Sequence, residues 1–116
     1  MSGPVQIKRE SLSTLRATRR SMSSARWLMI MKKRSLEERR EAALKRLAVE
    51  QMILTLGNEN LTGISAQLKE NENELNEARA ALIKAREKLN YVKAMLGAVT
   101  RMLDILSQVI KAPVGL

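Results

Sequence analysis

Cysteine, histidine and phenylalanine are absent from this 116-residue chain, and tryptophan and tyrosine occur once each. Without cysteine there is no disulfide, no thiolate metal site and no thiol nucleophile. Without histidine the commonest general base and the commonest metal ligand are missing too. The five glycines, at 3, 57, 63, 97 and 115, form no phosphate-cradling loop, and prolines stand only at 4 and 113. Most enzyme mechanisms lose a central residue here. The expectation is a non-enzymatic protein with no catalytic residue, no cofactor and no metal. What is abundant is Ala, Glu, Lys, Leu and Arg, which fill 62 of the 116 positions. That is the composition of long helices or coiled coils, and it rules out a β-sandwich or barrel. The length suits one small domain.

The net charge of +9 is unevenly placed. Residues 1–34 hold nine Lys/Arg against the single acid Glu10, whereas residues 35–116 hold twelve against eleven. This reads as a basic, Ser/Arg-rich N-terminal arm, partly helical or disordered. Arg16, Arg19, Arg20, Arg26, Lys32, Lys33 and Arg34 are its candidate phosphate contacts. Its longest apolar run, Trp27 to Met31, is too short for a Sec-type signal. Lys93, Arg101 and Asp104 interrupt even the apolar C-terminal region, so no membrane span is expected. The expected location is the cytoplasm, or outside it by a route without a Sec-type signal. Arg- and Ser-rich starts are also carried by organellar import segments.

Ser35-Leu36-Glu37-Glu38 has a capping-box pattern that predicts a helix over 36–56, with Leu44, Leu47, Ala48 and Leu54 on its apolar face. Two glycines and two asparagines within 57–63 predict a break, with Gly57 as the left-handed closing residue. A second helix is then expected over 61–111, ended by Pro113 and followed by a tail at 113–116.

The strongest pattern lies on that second helix. Leu61, Leu68, Leu75, Leu82, Leu89, Leu96, Leu103 and Ile110 recur every seven residues, and Ile64, Asn71, Ala78, Ala85, Val92, Val99 and Leu106 follow each by three. Such a heptad seam exceeds what simple amphipathicity demands and predicts helix-on-helix packing. Antiparallel pairing about residues 79–81 sets Leu75 against Ala85 and Leu82 against Ala78, large against small, and an acidic block at 70–77 against a basic one at 79–93. From Val92 to Ile110 the apolar face widens through Met95, Met102 and Val109. Trp27, Met29 and Ile30 of the arm, or a partner protein, are expected to cover it. Glu70, Glu72, Glu74 and Glu77 spread around a helix and do not converge on a metal.

The expected fold is therefore all-α, a long-helix coiled coil or helical hairpin that dimerises into a four-helix bundle. The expected function is oligomerisation and adaptor binding of a partner protein through an apolar helix face. In outline the chain resembles the small helical chaperones and filament subunits of bacterial secretion machines, a resemblance of architecture alone. The alternative is a nucleic-acid-binding dimer with its arm on phosphates. A basic segment ahead of leucine heptads resembles a bZIP protein, but no Asn precedes Asn58 to read a base.

Overall fold

The computed structural model describes residues 3–111. Among them there are six helices: α1 (Pro4–Ser21), α2 (Ala25–Lys32), α3 (Leu36–Asn58), α4 (Leu61–Glu70), α5 (Glu72–Glu87) and α6 (Val92–Lys111). The described residues are thus all-α. Pro113 and the tail at 113–116 lie outside them.

Local chemistry fixes most helix starts. Pro4 occupies the first turn of α1, where a missing N–H costs nothing. The Ser24 hydroxyl accepts from the Trp27 N–H at 3.2 Å, and the Ser35 hydroxyl from the Glu38 N–H at 3.1 Å. Asn60 Oδ1 accepts from the Thr62 N–H at 2.9 Å to start α4. The break after α3 falls later than the glycine spacing predicts. Gly57 lies inside the helix without a left-handed backbone, and the chain turns at extended Glu59.

The expected single helix over 61–111 is three helices. At Asn71, a polar position in the ladder, the side-chain Nδ2 donates to the Gln67 carbonyl at 2.8 Å and α4 gives way to α5 across this one residue, while the Asn71 and Leu75 N–H groups still bond four residues back. At Lys88–Tyr91 the chain reverses, so that α6 returns antiparallel along α5 and Arg101 pairs with Glu77 at 3.0 Å. No glycine or proline marks this reversal. It is favoured because α6 thereby buries Val92, Met95, Val99, Met102 and Leu106 almost completely.

The ladder is consequently closed within one chain. Eleven of the fourteen expected seam residues are buried: Ile64, Leu68, Leu75, Ala78, Leu82, Leu89, Val92, Leu96, Val99, Leu103 and Leu106. Leu61, Ala85 and Ile110 are half-buried against the same core. Helices α1, α3, α6 and α5 pack as a ring, each on the next, with α4 bridging α1 and α6. The fourth helix that the hairpin lacks is supplied by the N-terminal segment. Within residues 3–34, Ile7, Leu12, Leu15, Met22, Trp27 and Met31 are core residues, so α1 and α2 pack into the bundle. Ser11, Thr14 and Thr18 sit on the same inner face, and the two threonines return their hydroxyls to the carbonyls of Glu10 and Thr14 at 2.9 and 2.8 Å.

Two further placements differ from the sequence reading. Of the apolar face assigned to the helix at 36–56, Leu44, Leu47 and Leu54 point outward and Ala48 packs partly against the core, while Ala42, Val49, Ile53 and Leu56 are the buried residues. The widened face at 92–110 is covered by α5, α3 and α4, and α2 packs on α3 instead. Trp27, Met22 and Met31 line a pocket there with buried Ala42 and, at its rim, exposed Ala43.

Gly97 lies mid-helix on α6, and a methyl group added to it meets nothing within 4 Å. Gly97→Ala is expected to raise stability by about 0.5–1 kcal/mol through helix propensity, read as a higher thermal midpoint.

Candidate polyanion-binding face

Burying one side of α1 decides what its other side presents. With Ile7, Leu12 and Leu15 inward, Arg9, Ser13, Arg16 and Arg20 recur at helical spacing along the exposed side. The turn at 22–24 is anchored by buried Met22 and directs α2 so that Arg26, Lys32 and Lys33 are exposed. Arg19 and Arg34 are half-exposed. All seven expected phosphate contacts thus reach the surface, on two consecutive helices and the segment after them.

The segment after α2 meets the reversal between α5 and α6. Arg34 Nη2 donates to the Asn90 carbonyl at 2.9 Å. Arg26, Met29, Ile30, Lys33, Arg34 and Asn90 line an open groove there of about 710 Å³, and of its three cations Arg34 also pairs with Glu38 at 3.7 Å. Of the residues expected to dock an apolar partner, Met29 is 64% exposed at this groove and Ile30 half-buried. Trp27, Met95, Met102 and Val109 are buried in the core.

Arg86, on α5, joins this face through tertiary packing. Its Nη1 donates to the Thr14 carbonyl of α1 at 3.4 Å. Burial, and next the charge of Arg20, pull its pKa below the ordinary arginine value, while Glu87 opposes the shift. Arg20 and Arg86 thus act on each other as like charges. A bound anion relieves such repulsion, and arginine's planar fork suits phosphate oxygens.

Glu10 is the one acid among residues 3–34, and it is already neutralised. Arg79 of α5 donates to its carboxylate, as does Gln6 at 3.1 Å. The Arg79 hydrogen bond, then that of Gln6, hold the Glu10 carboxyl below its ordinary value of 4.5. Because the folded pKa is the lower one, the stabilisation is complete above that ordinary value. It fades as pH falls through the depressed one. Glu10→Gln is expected to lower stability by about 1 kcal/mol or less at neutral pH. The difference from the parent should vanish in acid, as urea unfolding across the pH range will show.

A second groove lies between α5 and α6, where Ala81, Ala85, Ala94, Gly97 and Ala98 form the floor and Lys84, Lys88, Tyr91 and Arg101 the rim. The four glutamates at 70–77 remain dispersed. Glu72 pairs with Lys69 at 3.1 Å and Glu77 with Arg101, and no group of three metal-ligating side chains assembles among the described residues. Nor is any described helix long and apolar enough to cross a membrane.

Arg86 and Asn90 are the site residues that sequence reading missed. Neither carries a local signal, since each joins the face only when α5 lies on α1 and the loop at 88–91 meets Arg34. No family model matches the chain, and neither does any curated protein or solved structure.

Proposed function

We propose that the chain is a non-enzymatic binding domain that holds a nucleic acid strand by its phosphates across the α1–α2 face. The observation that carries this reading is the set of exposed cations Arg9, Arg16, Arg20, Arg26, Lys32 and Lys33 on α1, α2 and the residue after them, where the one acid of residues 3–34, Glu10, is already paired with Arg79. A surface with such an excess of cations attracts a polyanion and gains affinity from each phosphate it neutralises. The face offers cations and no exposed aromatic on α1 or α2, which favours backbone contact over base reading.

The test is fluorescence anisotropy of labelled duplex and single-stranded oligonucleotides over a range of salt. If about six cations engage phosphates on duplex DNA, log K should fall linearly with log salt with a slope near −5. Absence of binding at low salt, or binding indifferent to salt, would contradict the proposal.

A second reading keeps the adaptor role, with an apolar partner protein in place of phosphates. It is favoured by Leu28 and Met29 of α2, which are 48% and 64% exposed beside Arg26 and Lys32. Complex formation that survives high salt supports this reading against the first. Neither reading rests on pairing of two chains through the seam at 61–110, eleven of whose fourteen residues are buried within the chain.

A further inference from the structure

We infer that the outer side of α3 is a docking surface for a second copy of this chain, laid antiparallel on the first. One side of α3 is buried through Ala42, Val49, Ile53 and Leu56. On the opposite side Leu36, Leu44, Leu47 and Leu54 are 57, 67, 49 and 67% exposed. Single exposed leucines are ordinary, but four on one helix side form a stripe that packing has not used.

Charge selects the occupant. A chain of net charge +9 repels its own copy in most orientations. Along α3 that repulsion is absent, because Glu37, Glu38, Glu41 and Glu50 balance Arg39, Arg40, Lys45 and Arg46. Arg40 and Glu50 lie at the stripe, and neither makes an ion pair among the described residues.

An antiparallel pair with its two-fold axis beside Lys45 sets Leu36 opposite Leu54, Ala43 opposite Leu47 and Arg40 opposite Glu50, each twice, with Leu44 next to its own counterpart. Moving the axis to Leu47 sets Leu44 against Glu50 and Arg40 against Leu54. Parallel alignment in register sets Arg40 against Arg40. One arrangement thus matches apolar to apolar and charge to opposite charge. A single helix pair buries less than the roughly 1,200 Å² of a stable interface, which places the dimer among weak, concentration-dependent ones.

Sedimentation equilibrium of the full chain, without nucleic acid and over about 1–200 μM, tests this. A monomer–dimer equilibrium is expected, and L47E should weaken it by about tenfold or more with an unchanged thermal midpoint, since Leu47 is on the surface. R40E and E50R should each weaken it, and the R40E/E50R double variant should restore it. The chain has no cysteine, so introduced thiols report the register cleanly. Leu44→Cys should cross-link to its copy and Leu54→Cys should not. A monomer at every concentration overturns the inference, as does a dimer that tolerates L47E or one that cross-links through Leu54→Cys as readily as through Leu44→Cys.

Discussion

A chain that begins at residue 35 is expected to lose its cooperative unfolding transition. The deletion removes Ile7, Leu12, Leu15, Met22, Trp27 and Met31 from the core, each at most 9% exposed. At about 1.5–3 kcal/mol for each buried side chain, the loss reaches or exceeds the 5–15 kcal/mol that holds a typical domain together. It also strips α1 from the faces of α3, α4 and α5 that it covers. A broad, non-cooperative loss of helical ellipticity on heating, with binding of an apolar dye, is the expected result. A sharp transition near that of the full chain would mean that residues 35–111 hold a core of their own. It follows that truncation cannot separate the basic face from the bundle, and that its role has to be dissected by substitution.

Reversing three charges of that face is the second large effect. The Arg20→Glu, Arg26→Glu, Lys33→Glu triple variant should lose on the order of 100-fold or more in affinity for an oligonucleotide at moderate salt. The salt slope should shrink by about three, one for each phosphate contact removed. Arg20 and Arg26 are exposed and Lys33 rims the groove with Asn90, so the fold should not suffer. The single variant Arg20→Gln separates binding from stability. It should bind more weakly yet unfold at an equal or slightly higher temperature, because the repulsion of Arg86 by Arg20 is gone. Weaker binding accompanied by a lower melting temperature would instead assign Arg20 a structural task.

Which parts of this molecule its sequence discloses follows from the range of the forces involved. Helix starts are local, and the hydroxyl of Ser35 bonds to the N–H of Glu38 as the spacing predicts. The heptad ladder is equally plain, yet a period states only that a face needs cover and not which helix covers it. Here the cover is internal, because the chain reverses at Lys88–Tyr91 with no glycine or proline and only Asn90 to announce it. Helix α3 carries leucines on one side and Val49, Ile53 and Leu56 on the other, so periodicity alone selects the wrong side. Helix α1 is misread for a related reason. Half of its inner face is Ser11, Thr14 and Thr18, which count as polar in a composition and pack as small groups, the two threonines with their hydroxyls bonded to the backbone. The cations of the site are legible because exposure needs no partner, whereas Arg86 gains its neighbours only from the packing of α5 on α1.

Small-angle scattering at low concentration tests most directly whether the leucine ladder is the molecule's own interior. The bundle has a radius of gyration of 14.6 Å over its Cα atoms. The expected scattering is that of a compact monomer near this size, about 15 Å in solution. A continuous helix over 61–111 is about 75 Å long and gives a radius above about 20 Å. That larger value, with a mass of two chains persisting on dilution, would contradict the account.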